Sequence, residues 1–100
     1  MSPGGPDTVP TIYLFTQDGC ANCPAAKAVI HEAFEGSNVK LETIDLQSID
    51  PDFEFRLLEH QLFIASTPSI IIENGGKLRL LYSGEVPSVE EIRREVLDAA

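Results

Sequence analysis

Basic side chains are scarce in this sequence. Seven lysines and arginines stand against 16 aspartates and glutamates, a formal net charge of −9. Such an acidic surface repels phosphate backbones and anionic headgroups, so neither a nucleic-acid nor a membrane partner is expected. Long apolar runs are missing too; none approaches the roughly 20 residues that cross a bilayer. The N-terminus lacks a basic region followed by an apolar stretch, and the resulting expectation is a cytoplasmic protein. There are only two cysteines and two histidines. A closed zinc site takes about four ligands. His31 and His60 fall on separate predicted helices and read as surface or partly buried residues, so no metal and no tightly bound cofactor is expected. Repeats, linkers and a second domain are also absent. At 100 residues, 43% hydrophobic and 23% charged, the chain suits one globular domain over 11–100 behind a flexible, Gly- and Pro-rich lead-in over 1–10.

What the sequence does have is Cys20-Ala21-Asn22-Cys23. The preceding run Thr11 to Thr16 is β-branched and aromatic, with an unbroken apolar centre from Ile12 to Phe15. That is the signature of a strand covered on both faces. The following segment to about Phe34 carries Ala26, Val29, Ile30, Ala33 and Phe34 at helical spacing. Pro24 is tolerated only in a first helical turn, so the helix should start near Cys20–Asn22, with Cys20 at the mouth and Cys23 deeper. The free N–H groups and positive dipole end of a helix favour a thiolate, and the thiolate is the form that attacks disulfides. At this spacing one cysteine can attack and the other can resolve the mixed disulfide. Lys27 is either a solvated helix residue or an aid to the Cys20 thiolate. Asp18 opposes that aid unless it faces away.

Further along, Val39 to Leu46 reads as a second strand. Asp50-Pro51 starts a helix running to about Leu62, with Phe53 or Phe55, Leu57, Leu58 and Leu62 inward. Ser69 to Glu73 is a third strand, Asn74-Gly75-Gly76 a hairpin turn, and Lys77 to Tyr82 an antiparallel fourth strand ended by Gly84. Ser88 and Glu91 have the spacing of a capping box. The last helix should run to about Ala99, turning Val89, Ile92, Val96 and Ala99 inward. Tyr13 and Tyr82 read as core or strand residues. The order β-α-β-α-β-β-α, with a right-handed first crossover, predicts an α/β fold: a four-stranded mixed sheet with helices on both faces.

Three features together resemble the thioredoxin-like superfamily: the Cys-x-x-Cys at a strand-to-helix turn, Thr67-Pro68 immediately before a buried strand, and the element order. The likeness extends over about residues 11–100. It implies a small thiol-disulfide oxidoreductase in which Cys20 attacks and Cys23 resolves. It also implies a cis bond between Thr67 and Pro68 beside the cysteines, a Thr67 backbone that pairs with an extended substrate, and a Gly84 that admits it. Thioredoxins carry a buried acid in the first strand and a tryptophan before the first cysteine. Here Ile12 to Phe15 holds no acid, and Gly19 precedes Cys20. The short Cys-x-x-Cys with Ala26-Lys27 leans towards glutaredoxin-like redoxins, yet Gln17 replaces the lysine of a glutathione site, and only Glu90 and Glu91 lie near its acidic pair. The expectation is therefore a monomeric reductant of protein disulfides. A thioredoxin-reductase-like enzyme or another dithiol would recharge it, with glutathione the less supported donor. The alternative is a thioredoxin-fold binding module, bridging an iron–sulfur cluster as a dimer.

Overall fold

The apolar run Ile12–Phe15 lies within the inner strand β1 (Thr11–Thr16) of a four-stranded sheet. The computed structural model describes residues 9–98. The remaining elements are α1 (Cys23–Ala33), β2 (Lys40–Asp45), α2 (Pro51–Glu59), β3 (Ser69–Asn74), β4 (Lys77–Ser83) and α3 (Val89–Arg93), which continues as a wider π-helical turn over Arg94–Asp98. The sheet order is β2-β1-β3-β4; β1 runs parallel to β2 and antiparallel to β3, and β3 and β4 form an antiparallel hairpin. This is the mixed sheet and element order that the sequence predicts. The flexible lead-in expected over 1–10 falls largely outside the described residues, but the Pro10 carbonyl already accepts a bond from Lys40 N at 2.9 Å.

Strand alternation divides the core in two. Ile12 and Leu14 of β1, with Ile70 and Ile72 of β3, face α1 and α3 and meet Ala26, Ile30, Ala33, Phe34, Ile92 and Val96. Phe15 and Ile71 point the other way, packing with Leu57 of α2 and Leu78 of β4. Each fully buried side chain of this size contributes about 1.5–3 kcal/mol. Because β1 and β3 are covered on both faces, their sequences lack a polar alternation.

Local chemistry sets the element ends. Gly75 and Gly76 have positive φ angles, +64° and +84°, between the paired Asn74 and Lys77, as a two-residue primed turn requires. At α3, Ser88 Oγ accepts from Glu91 N at 3.1 Å and Glu91 Oε1 accepts from Ser88 N at 2.9 Å, so the capping box forms. The π-helical turn replaces a regular helix beyond Arg93, and the inward position expected for Ala99 lies outside the described residues.

Helix α2 departs from expectation. It stops at Glu59, not near Leu62, because Gln61 takes a left-handed φ of 59° and Leu62 N bonds back to Leu57 O at 2.8 Å. This is a Schellman-type ending made without glycine, hence without the usual signal. Asp50 precedes the helix but its carboxylate makes no capping bond. Phe53 turns inward, whereas Phe55 and Leu58 are 61% and 51% exposed, so Leu58 does not join the core as its spacing suggested.

A polar network pins α2 to the sheet. Tyr13 Oη donates to Glu73 Oε1 at 2.7 Å, and Arg56 Nη2 donates to Glu73 Oε2 at 2.6 Å. Tyr13 and Arg56 both lie close to the Phe53 ring. Burial by itself would raise the Glu73 carboxyl, but the bonds from Arg56 and Tyr13 and the guanidinium charge outweigh it and hold the group below the ordinary value. Burial, then the bond to Glu73, pushes the Tyr13 phenol up. A carboxyl lowered by folding stabilises the fold above its unfolded value, near pH 4 to 5, and that share drains as the pH falls through the folded value. The neutral Tyr13 stabilises below about pH 10 and that share is lost above it. Since Arg56 is partly exposed, solvent screening limits the ion pair to about 1 kcal/mol. Urea midpoints measured between pH 5 and 3 should therefore fall less steeply in Glu73→Gln than in the wild type; equal slopes would exclude this role.

Candidate active site: a cysteine pair at a strand-to-helix corner

The site begins with the end of β1. Beyond Thr16 the chain turns, with Cys20 N donating to Gln17 O at 3.2 Å and Gly19 at φ +82°. Cys23 is the first residue of α1 and Pro24 the second, a position where the missing N–H costs nothing. Cys20 and Cys23 are joined as a disulfide with their Cα atoms 5.5 Å apart. Their exposures differ: Cys20 is half-buried, and Cys23 is only 7% exposed. Asn22 occupies the cap position without a side-chain capping bond, and no acid stands in the first turn of α1. Cys23 N donates to Cys20 O at 3.4 Å and Pro24 has no N–H, so what the helix start offers sulfur is chiefly its positive dipole end, which no first-turn acid offsets.

The sheet brings the second half of the site close. Phe15 of β1 lies opposite Ser69 of β3, so Thr67 and Pro68, just before Ser69, stand at the same end of the sheet as the cysteine turn. The Thr67–Pro68 bond is cis, Pro68 is buried and Thr67 is half-buried. Gly84 N donates to Pro68 O at 2.8 Å. Ser69, fully buried, donates its hydroxyl to Ser66 O, and the Ser66 and Ser83 hydroxyls lie 3.5 Å apart.

Gly84 has an intramolecular reason to be glycine. Its φ is +78°, and a Cβ there would lie 2.5 Å from Ser66 Oγ. Gly84→Ala should cost about 1–2 kcal/mol for the left-handed backbone alone, plus the clash. In a Ser66→Ala background, where only the Ser66 Cβ at 3.4 Å remains, the penalty should shrink without vanishing. A double-mutant cycle of thermal unfolding reads this directly, and equal penalties in both backgrounds would refute it.

Leu14 is 2% exposed within the core, and β1 presents no acid to the cysteines. Ser66 and Thr43 carry no site signal in the sequence, and Lys27 admits two readings there. Thr43 and Lys27 border a cavity that touches both cysteines, and only the pairing of β2 with β1 puts Thr43 there. His31 and His60 are exposed on α1 and just after α2. No cluster of three or more His, Cys, Asp or Glu suited to a metal occurs among the described residues, and no helix there is long and apolar enough to cross a membrane.

This fold, with a cysteine pair at the first strand-to-helix corner and a cis proline entering the antiparallel β3, defines a thioredoxin-type redox domain. A family model described as a thioredoxin domain matches residues 11–97, and the chain belongs to that family. No curated protein sequence matches it. Among solved structures it is similar to thioredoxin-2 of the malaria parasite, at 15% identity and a TM-score of 0.67, over 91% of this chain and 84% of that one. It is similar also to a mutant thioredoxin of Halobacterium salinarum (12%, TM-score 0.70, 92% and 75% of the two chains). A third is the thioredoxin of Trypanosoma brucei brucei (18%, TM-score 0.64, 92% and 75%). At such identities the likeness is one of fold. The cysteine pair, bonded at this corner of the fold, supports a redox function.

Proposed function

We propose that the protein is a thiol-disulfide oxidoreductase that reduces protein disulfides. The observation that carries this reading is the unequal exposure of two bonded cysteines at a helix N-terminus. In the reduced chain the Cys20 thiolate attacks a substrate disulfide, one substrate thiol leaves with a proton, and a mixed disulfide forms. Cys23, held in the first turn and shielded from competing thiols, then attacks Cys20 Sγ and releases the second thiol. The backbone of Thr67 pairs with an extended substrate segment, Pro68 sets the wall beside the cysteines, and Gly84 keeps the opposite rim low. With no acid in β1, the Cys23 proton leaves to water or to a group at the rim. A dithiol donor of the thioredoxin-reductase type resets the pair, and a reducing, cytoplasm-like compartment suits the cycle. The net charge of −9 favours protein substrates over a small anion such as glutathione as the principal partner.

The test is the protonation state of Cys20. The rate of iodoacetamide alkylation, followed against pH by mass spectrometry, should titrate about one unit or more below the ordinary thiol value of about 8.5. A Cys20 that titrates as an ordinary thiol would remove the basis of the proposal.

A further inference from the structure

The disulfide has two flanks, and the function proposed above uses one of them. On the β3 side stand Ser66, Thr67, Pro68 and Gly84. On the β2 side lies an open cavity of about 700 Å³, and none of those four residues borders it. Its wall contains both cysteines together with Thr16, Asp18, Lys27 and Thr43. The volume is of the size of small-ligand sites, roughly 300–1,000 Å³, but the cavity is shallow and wide open to solvent. Apart from the sulfurs, the wall carries two ionisable groups, one acid and one base. Asp18 sits in the turn before Cys20, and Lys27 lies one helical turn beyond Cys23. Neither joins an ion pair among the described residues. Two unpaired charges of opposite sign thus line one open, shallow surface with the two cysteines.

We propose that this cavity is a subsite for small zwitterionic disulfides of the amino-acid type. The ligand carboxylate faces Lys27, its ammonium faces Asp18, and its S–S bond lies against Cys20. Thr16 and Thr43 offer hydroxyls for the remaining polar contacts. The inference rests on the dithiol reading above and adds a second substrate class, oriented by its own two charges instead of by a backbone strand. In the reduced protein the Cys20 thiolate attacks one ligand sulfur. The ligand S–S bond breaks, and one aminothiol leaves and takes up a proton. Cys23 loses its proton and attacks Cys20 Sγ, the second aminothiol leaves and is protonated, and the Cys20–Cys23 bond re-forms. Two electrons pass from the dithiol to the ligand, and a dithiol reductant restores the pair.

Three probes separate the charges: cystine, cystamine, which lacks the carboxylate, and 3,3′-dithiodipropionate, which lacks the amine. Single-turnover rate constants of the pre-reduced full chain are measured with each, and each is normalised to the rate of the same probe with free dithiothreitol. Cystine should exceed either half-analogue by about fivefold, the scale of one exposed charge contact. Lys27→Gln should collapse the cystine-to-cystamine ratio towards one, while Lys27→Arg preserves it. Asp18→Asn should collapse the cystine-to-dithiodipropionate ratio. A general change in thiolate content or folding moves all three rates together and leaves the ratios alone. Normalised ratios near one in the wild type, or ratios unchanged in both charge-removing variants, would overturn the subsite. A reduced chain that reacts with none of the probes and fails to reduce insulin disulfides would instead overturn the dithiol reading and the subsite with it.

Discussion

If the proposed cycle operates, exchanging Cys20 for serine is expected to reduce insulin-disulfide reduction to background, a loss on the order of a thousandfold or more, because the proposed nucleophile is gone. Cys23→Ser should behave differently. Its Cys20 remains at the mouth, half-buried in the turn that precedes α1, so the first attack still occurs. The resolving thiol is missing, and the chain should stall as a mixed disulfide seen as a mass adduct on a non-reducing gel. The two variants test the attacking and resolving roles proposed for the pair. Turnover retained in Cys20→Ser, or equal adduct formation by both variants, would reverse or abolish that assignment.

The second large effect concerns the core beneath the site. Phe15 is fully buried, one residue before the end of β1, and its ring stacks on Phe53 with centroids 5.9 Å apart. Leu57, Ile71 and Leu78 enclose the same cluster. Phe15→Ala should cost about 3–5 kcal/mol, the lost transfer energy plus a cavity that a two-sided sheet cannot close. A domain of this size holds about 5–15 kcal/mol in total, and the melting temperature should fall by roughly 15 °C or more. Phe55→Ala, at a ring 61% exposed, should stay within about 0.5 kcal/mol. Calorimetry of the two variants separates burial from mere hydrophobicity; similar shifts would contradict the assigned core.

The phenylalanines also show where the sequence stops being readable. Spacing alone could not choose between Phe53 and Phe55 as the inward ring of α2. Leu58 has a helical neighbour in the buried Leu57, yet it faces solvent. Helical periodicity defines a stripe, but the stripe's rotation is set by the sheet beneath it. The end of α2 was obscure for a different reason: Gln61 takes a conformation usually given to glycine. In contrast, the Gly75-Gly76 turn, the Ser88–Glu91 box and Pro24 in the first turn of α1 were all legible, because each depends on groups within four residues of one another.

The same distinction runs through the site. Cys20, Cys23 and the helix that carries them follow from one continuous stretch, and Thr67-Pro68 was found through its likeness to a family. Ser66 against Gly84, Glu73 between Tyr13 and Arg56, and Thr43 lining one cavity with the cysteines join segments 17 to 60 positions apart. By itself the sequence determined the strands, the order of elements and the asymmetric thiol pair, since periodicity, caps and turns act between near neighbours. Only the tertiary structure decided which side chains flank that pair and which face of α2 is buried. Those outcomes depend on strand register and helix rotation, which are properties of the packed sheet.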